Sequence, residues 1–339
     1  MAHRQPARRS RMDSQDQLTI PPHKAAAWLL MQREDDTQGG WNMRGKRVIG
    51  ALCWIMLTGT AVMADQGETA VSVSYLGPAG TYTEEAAQFF FQNGEVLNPK
   101  ETVNDAIADV LAGEADYAVI PQENTVGGAV VNYVDALIDA EEAFVVGEVI
   151  LPISQTLMGV PGATLSDIQT VCSHAQGLTQ SAQWRSENLP DAVTEEMDST
   201  AAAASYVSET GDKSIAAVAA PGAAALYGLD VLAENVQITD ANKTRFYVLS
   251  KQSLEGEDCT RAVFVATCEA DQIDDIIVRL HDSGLEMEAL HDRPEGSMLG
   301  RYHYVIEAMN EAGVTKDQIE AVCGMEGVRF AGCFNMIEK

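Results

Sequence analysis

Short apolar runs rich in β-branched residues alternate along the chain with longer stretches in which apolar positions recur every three or four residues. The short runs are typical of buried strands and the longer stretches of amphipathic helices. Residues 71–77 begin the series as a strand, residues 83–92 follow as a helix, and residues 115–121 form the next strand. Strands that alternate with helices in this way predict an α/β fold.

The alternation continues through much of the chain and then changes character. Residues 170–174 and 246–250 predict two further strands, with alanine-rich helices between them. The polar, glycine-containing residues 252–258 are typical of a linker. Beyond them, residues 259–339 have the order β-α-β-β-α-β, which is ferredoxin-like. We therefore predict two structural units, residues 71–251 and 259–339.

The amino-terminal part of the chain has the layout of a secretory signal. The basic residues 43–47 precede an uncharged apolar run, and a small residue, Ala64, precedes the polar Asp65. This order of segments predicts a signal peptide over 43–64 that is cleaved after Ala64, and therefore a periplasmic or secreted protein. A retained membrane anchor is the alternative, although the apolar run is short for a membrane span.

Residues 1–42 are polar and show no sustained periodicity, which is unusual ahead of a signal peptide. Our hypothesis is that translation begins at Met43. The alternative is a disordered extension on a cytoplasmic protein.

Charge is distributed unequally between these segments. Of 22 basic and 50 acidic side chains, residues 1–64 hold nine and five, so the chain after Ala64 carries 13 basic and 45 acidic groups and a net charge of −32. Such a surface repels phosphate backbones and anionic membranes. Aromatic residues, on which single-stranded bases stack, make up only 6% of the chain. We therefore expect no nucleic-acid or membrane-surface partner.

Polar motifs of the first unit fall at predicted strand ends or helix starts, where open α/β sheets bind their ligands. Backbone N–H groups and hydroxyls at such helix starts bind carboxylates without many basic side chains. Each motif alone is more typical of a helix cap or a turn, but together they predict a pocket for a small molecule with two carboxylates. The sequence has no P-loop lysine and no G-x-S-x-G, H-E-x-x-H or C-x-x-C pattern, so we expect no metal site, phosphate-binding loop or nucleophile elbow.

At these motifs the chain resembles prephenate dehydratase, collinearly from Val71 to Lys339. The family's motifs stand here as YLGPAGTYTEEAA (75–87), VIPQENTVGG (119–128), SHAQGLTQ (173–180), DSTAAAA (198–204) and NKTRFYVLS (242–250). The resemblance implies a two-lobed catalytic unit similar to type II periplasmic binding proteins, with the active site in the cleft. The second unit looks like the family's ACT domain. The implied reaction is the decarboxylating dehydration of prephenate to phenylpyruvate in phenylalanine biosynthesis, without a cofactor. The expected assembly is a homodimer or a higher homo-oligomer.

The resemblance also implies roles for single residues. Thr244, in the TRF motif, is expected to assist departure of the ring hydroxyl. Arg245 is expected to pair with a substrate carboxylate or to brace the lobe. The other expected catalytic residues are Glu123, Asn124, Thr125 and His174, and the expected substrate-binding residues are Thr81, Ser173, Gln176, Ser199, Thr200 and the packing residue Phe246.

The second unit departs from the family at its phenylalanine site. Where the family has Gly-Ala-Leu-Val, this chain has Asp271, Gln272, Ile273 and Asp274, and where it has Glu-Ser-Arg-Pro, this chain has His291, Asp292, Arg293 and Pro294. The lost glycine adds bulk, and the added carboxylates repel the carboxylate of an amino acid. We therefore expect weak or absent inhibition by phenylalanine, with the unit retained mainly for dimerisation.

Export bears on the cysteines. In a ferredoxin-like order the first and fourth strands are antiparallel neighbours, so paired positions have a nearly constant index sum. Cys259 with Cys333 and Cys268 with Cys323 have sums of 592 and 591, which predicts two disulfides in an oxidising compartment and leaves Cys172 free beside the cleft. The alternative is that these cysteines are buried and reduced.

Other functions stay open at the level of the sequence. Arogenate dehydratase differs from the implied activity only in an amine of the substrate. An exported solute-binding protein for a small carboxylic acid, or a sensor that has lost catalysis, would use the same cleft. Neither of the last two needs the TRF motif or the ACT-like unit.

Overall fold

The computed structural model describes residues 70–126, 128–129, 131–239, 241–254 and 259–339. The predicted signal peptide over 43–64 and the extension before it lie outside the described residues. The first lobe is built from β1 (Ser72–Leu76), α1 (Tyr82–Phe90), β2 (Val96–Lys100), α2 (Val103–Ala112), β3 (Tyr117–Asn124), β4 (Gly128–Ala129), α3 (Val131–Asp139) and β5 (Phe144–Pro152).

The chain then enters a second lobe and returns from it. This lobe contains β6 (Thr156–Gly159), a 3-10 turn (Leu165–Asp167), β7 (Thr170–Ser173), α4 (Ala175–Gln180), α5 (Ala182–Asn188), β8 (Val193–Glu196), α6 (Thr200–Thr210), β9 (Ile215–Ala219), α7 (Pro221–Tyr227) and β10 (Asp230–Ala233). Its sheet has the order β10-β6-β9-β7-β8. The chain re-enters the first lobe as β11 (Lys243–Ser250), which lies between β5 and β3. The predicted α/β class is confirmed, with mixed sheets.

The C-terminal unit comprises β12 (Arg261–Glu269), α8 (Ile273–Asp282), β13 (Glu286–Pro294), β14 (Arg301–Met309), α9 (Lys316–Cys323), β15 (Val328–Phe334) and β16 (Met336–Glu338). Its first six elements follow the predicted β-α-β-β-α-β order. The strands lie in the order β13-β14-β12-β15, which places the first and fourth strands of the unit side by side.

The C-terminal unit continues the sheet of the first lobe. Strand β15 bonds β5 where Gly332 meets Val145, and β16 runs parallel to β5 from Met336 opposite Glu148. A Cβ atom on Gly332 would collide with the backbone of Val145, so only glycine allows this approach. Among the described residues, a sheet of eleven strands therefore runs from the first lobe into the C-terminal unit. The sequence pattern does not indicate this continuity.

The two faces of the C-terminal sheet have different partners. Ala262, Phe264 and Ile306 pack with residues of α8 and α9. Alternate positions on the opposite face, such as Val263 and Val305, join a core that includes the side chains of α3 and β11. Since side chains alternate along a strand, one face of the sheet packs within the C-terminal unit and the other packs against the first lobe.

One of the two predicted disulfides is present. Cys259 is bonded to Cys333, with a Cα–Cα distance of 5.9 Å. Cys268 and Cys323 are not bonded, because Cys323 ends helix α9 instead of lying on β15. In the observed register Ala262 lies opposite Cys333, whereas the predicted register places Cys259 there, three positions earlier. Beyond Val263 the register shifts by one residue.

Candidate active site

The polar motifs meet where the two lobes face each other. Asn124 ends β3 and Thr244 lies near the start of β11, the neighbouring strand. Gln176, at the start of α4 in the second lobe, donates from Nε2 to Asn124 Oδ1 across the cleft at 3.3 Å. A second link joins the lobes where the Tyr227 hydroxyl donates to the Ala79 carbonyl at 2.9 Å. These contacts identify the cleft and the residues on both of its sides.

Asn124, which Gln176 contacts from the second lobe, forms a hydrogen-bonded pair with Thr244. Asn124 Nδ2 donates to Thr244 Oγ1 at 2.8 Å and to Asn242 Oδ1 at 2.8 Å. The Thr244 hydroxyl is almost fully buried. Because its oxygen accepts from Asn124, its own hydrogen is oriented elsewhere and can be donated to a ligand.

Thr125 connects the end of β3 to the segment that precedes Thr244. Its hydroxyl donates to the Ala241 carbonyl at 3.0 Å and accepts from the Lys243 backbone amide at 2.9 Å. Its own backbone amide donates to the Lys243 carbonyl. The structure therefore uses the Thr125 hydroxyl to hold the loop in place, although the sequence predicts a ligand contact.

Arg245 braces the lobe, which is one of its two predicted roles. Its guanidinium donates to both carboxylate oxygens of Glu148, at 2.6 and 3.0 Å, and to Glu307 of the C-terminal unit at 2.5 Å. Glu123 lies 3.3 Å from Nη1. With three carboxylates around it, Arg245 has no need of a ligand carboxylate, and the alternative role is not supported by this arrangement.

The ionisation of this cluster follows from its burial. Burial alone would lower the pKa of the Arg245 guanidinium, but hydrogen bonds and charges from Glu148 and Glu307 raise it above its ordinary value. Burial raises the pKa of Glu148 above its ordinary value, although Arg245 opposes this. The cation therefore stays charged while two buried carboxylates share it.

Several predicted ligand-binding side chains cap helices that start at the cleft. Thr81 accepts from the Glu84 amide at the start of α1, and Ser199 accepts from the Ala202 amide at the start of α6. His174 Nδ1 accepts from the Gln176 amide at 3.3 Å. These caps fix the helix starts, whose positive dipole ends favour anions. Thr200, the first residue of α6, is half-buried beside them.

Two predicted contacts are corrected by burial. Ser173 is fully buried and its hydroxyl donates to the Val218 carbonyl at 2.6 Å. It lies under α4, where a Cβ atom on Gly177 would collide with its hydroxyl. Phe246 is also fully buried and belongs to the core of the first lobe. Because neighbouring residues of a strand point to opposite faces, Phe246 lies on the other face from the Arg245 cluster.

The cations of the NKTRF motif are both engaged by carboxylates. Arg245 is held as described, and Lys243 pairs with Glu338 near the C-terminus. A bound anion would therefore meet amides, hydroxyls and helix starts in this part of the described structure.

The residues that the sequence predicts at a phenylalanine site make separate contacts in the structure. Gln272 accepts from the Glu269 amide at the start of α8, next to Asp271 and Ile273. Arg293 instead turns to the first lobe and pairs with Asp135 of α3, at 2.6 Å. His291 stacks edge-on against Tyr133 of the same helix. Asp292 and Pro294 are exposed.

Metal-binding clusters and membrane helices are both absent from the described residues. No group of three or more histidine, cysteine, aspartate or glutamate side chains within them is arranged to hold a metal ion. None of their helices has the length and apolarity of a membrane span.

Sequence reasoning missed the two buried carboxylates. Glu148 stands in an otherwise apolar strand, and Glu307 follows the apolar pair Val305 and Ile306. A carboxylate buried without a partner is strongly unfavourable, so these positions signal a buried cation nearby. The sequence contains that signal, but it does not indicate that both carboxylates bind the same arginine.

Comparison with known proteins places these motifs in a family. A profile described as Prephenate dehydratase matches residues 73–254. The prephenate dehydratase of Amycolatopsis methanolica is 34% identical over 272 residues, which cover 77% of this chain and 88% of that protein. The chain spans about two thirds of the length of the bifunctional chorismate mutase/prephenate dehydratases from Neisseria gonorrhoeae and Aquifex aeolicus that it also matches.

Solved structures give a similar result. The prephenate dehydratase of Arthrobacter aurescens in complex with L-Phe has a TM-score of 0.70 and 31% identity, over 78% of this chain and 90% of that chain. A protein described as a novel type of quorum quenching acylase also has a TM-score of 0.70, with 25% identity over 78% of this chain and 98% of that chain.

Proposed function

Because the chain belongs to the prephenate dehydratase family, we propose that it converts prephenate to phenylpyruvate, carbon dioxide and water. The observation that carries this proposal is the Asn124–Thr244 pair in the cleft, joined at 2.8 Å. It supplies a buried hydroxyl whose hydrogen is directed away from the amide. A departing hydroxyl group of a substrate needs such a donor.

The reaction removes two groups from one ring. The bond between the ring and its carboxylate breaks, and its electron pair enters the ring. The bond between the ring and its hydroxyl breaks in turn, and the oxygen leaves as water after taking up one proton. Thr244 is the donor that stabilises this oxygen as it departs, and Asn124 orients Thr244.

Binding of the substrate dianion relies on neutral groups. Gln176, Thr200 and the helix starts behind Thr81 and Ser199 present amides and hydroxyls to the cleft. The neighbouring cations Arg245 and Lys243 are held by carboxylates. A ring carboxylate that no cation stabilises is poorly solvated, and this favours its loss as carbon dioxide.

Arogenate is the alternative substrate and differs by an amine. Selection of an amine calls for an unpaired carboxylate at the cleft. Glu123, which immediately precedes the catalytic Asn124, is 3.3 Å from the Arg245 guanidinium. Its charge is thus partly neutralised, which favours the keto acid prephenate.

The C-terminal unit is proposed to be an ACT-like domain of a homodimer with weak or absent response to phenylalanine. Support comes from the departures at Asp271, Gln272, His291 and Asp292, and from the pairing of Arg293 with Asp135. Half-inhibition at tens of micromolar phenylalanine would contradict this, and light scattering tests the dimer.

Export is a further part of the proposal. The basic residues 43–47, the apolar run after them and the small Ala64 support a signal peptide and a periplasmic or secreted enzyme. Amino-terminal sequencing of the protein from its native source tests this, and a mature start well before Asp65 would contradict it.

One assay tests the activity. Purified protein beginning at Asp65 is incubated separately with prephenate and arogenate, and phenylpyruvate and phenylalanine are measured. Turnover of prephenate is expected. Turnover of arogenate alone would identify arogenate as the substrate instead. Binding of prephenate without turnover would indicate a solute-binding protein or a sensor.

A further inference from the structure

A carboxylate of the C-terminal unit reaches the strands that carry the catalytic pair. Glu307 lies on β14 and is 1% exposed. Its Oε1 accepts a hydrogen bond from Gln122 Nε2 and its Oε2 accepts one from Arg245 Nη2, both at 2.5 Å. One side chain thus joins β3 to β11 from outside the lobe that contains them.

Both donors are close neighbours of the catalytic pair. Gln122 precedes Asn124 by two positions on β3, and its side chain bonds Glu307 on the face of the sheet that Arg245 occupies. Arg245 directly follows Thr244 on β11. The pairing of β3 with β11 shifts register between Arg245 and Phe246. A bulge disrupts the ladder locally, so side-chain contacts must help to set the spacing of the strand ends.

We propose that Glu307 is a positioning residue that holds β3 and β11 at the spacing at which Asn124 bonds Thr244. The inference rests on the proposed dehydratase function and extends it, because it makes the C-terminal unit a support of the active site. Glu307 is buried at the junction of the two units, where its carboxylate oxygens bond Gln122 and Arg245.

The effect of Glu307 is transmitted mainly through Gln122. Without Glu307, the Arg245 guanidinium would still bond both oxygens of Glu148. Gln122 would keep only the Tyr133 hydroxyl at 3.1 Å and a weak contact with the Tyr247 hydroxyl at 3.5 Å. Strand β3, which ends in Asn124, therefore loses more of its support than β11.

Two substitutions that keep the length of the Glu307 side chain separate the effect of hydrogen bonding from that of packing. Glu307→Met fills the same space but accepts no strong hydrogen bond. Glu307→Gln accepts from Arg245, and its amide can donate to Gln122 once the Gln122 amide has reversed. We expect kcat to fall about 10- to 100-fold in the Met variant, since small misplacements cost this much. KM should change less than kcat, and the Gln variant should recover most of the activity.

A second variant and a control complete the test. Gln122→Met cuts the same link from the other end, so its effect should match that of Glu307→Met and should not add to it. Asp135→Asn disrupts a different ion pair between the units, the one with Arg293. This control should leave kcat unchanged while weakening the same interface. Thermal unfolding of every variant establishes that the fold is kept, and Gln122→Met carries the test if Glu307→Met does not fold.

Hydrogen exchange gives a readout that does not depend on turnover. Amides of residues 119–126 and 243–250 should exchange faster in Glu307→Met than in the unchanged protein or in Glu307→Gln. Unchanged exchange and unchanged kcat in Glu307→Met would overturn the inference, as would equal losses in the Met, Gln and Asp135→Asn variants. An unchanged protein that does not turn over prephenate refutes the proposed function instead, and exchange still decides the role of Glu307.

Discussion

Replacement of Thr244 by valine removes one hydroxyl and preserves the shape of the side chain. In the structure that hydroxyl accepts one hydrogen bond, from Asn124 at 2.8 Å, and the same amide nitrogen also bonds Asn242. Loss of such a bond lowers the free energy of unfolding by about 1 kcal/mol. Loss of a positioned donor to the departing oxygen lowers kcat by roughly 10²- to 10⁴-fold, or about 3 to 5 kcal/mol in the barrier.

The two magnitudes differ enough to be separated experimentally. Urea unfolding measures the change in stability, and the appearance of phenylpyruvate at saturating prephenate measures kcat. Thr244→Ser is the matched control, because it keeps a hydroxyl that can accept from Asn124 and donate to the substrate. We expect the serine variant to retain most of the activity and the valine variant to remain folded but nearly inactive.

The result that would refute this reasoning is a folded Thr244→Val variant with kcat within about threefold of the unchanged protein, far less than a lost proton donor should cost. The departing oxygen would then be stabilised by another group. A valine variant that lost several kcal/mol of stability would instead show that Thr244 supports the fold.

Three further predictions concern the fold around the site. Replacing Cys259 and Cys333 by serine should lower the free energy of unfolding by about 2 to 4 kcal/mol, since the disulfide closes a loop of 74 residues; a urea midpoint that reductant does not change would contradict this. Burial, with Glu195, raises the pKa of the Cys172 thiol from 9.0 to about 11. Stability from this group is complete below pH 9 and is lost as pH rises through 11, and the thiol should resist alkylation at pH 8; rapid labelling of folded protein would oppose it. Gly177→Ala should destabilise the second lobe by about 1 to 3 kcal/mol, because the new Cβ meets the buried Ser173 hydroxyl; an unchanged melting temperature would argue against that contact.

The periodicity of the sequence predicts the helices and strands well, whereas single motifs predict the roles of individual side chains less well. Strand β1 and helix α1 lie within one or two residues of their predicted bounds, because local apolar spacing determines them. The predicted register is three positions off because Cys259 precedes β12 and Cys323 lies on helix α9, so neither cysteine takes part in the pairing of β12 with β15. Motif position alone does not show which face a side chain occupies, so Ser173 and Phe246 were expected at the ligand.

The role of Arg245 shows a different limit of sequence reasoning. An arginine beside a threonine that is expected to be catalytic suggests an anion site, and both predicted roles of Arg245 are chemically reasonable. The choice between them depends on Glu148 and Glu307, which are 97 residues before it and 62 residues after it in the chain. Long-range pairing of this kind has no local signature in the sequence.

The shared strand β5 limits how this protein can be divided or recombined. Residues 336–338 complete the hydrogen bonding of β5 in the first lobe, so a truncation that removes them would expose an edge of the catalytic core. A chimaera that took its C-terminal unit from a relative would have to reproduce Gly332 and the alignment of β16 along β5. The two units are therefore exchangeable only as a pair, although the linear order of the sequence presents them as separate modules.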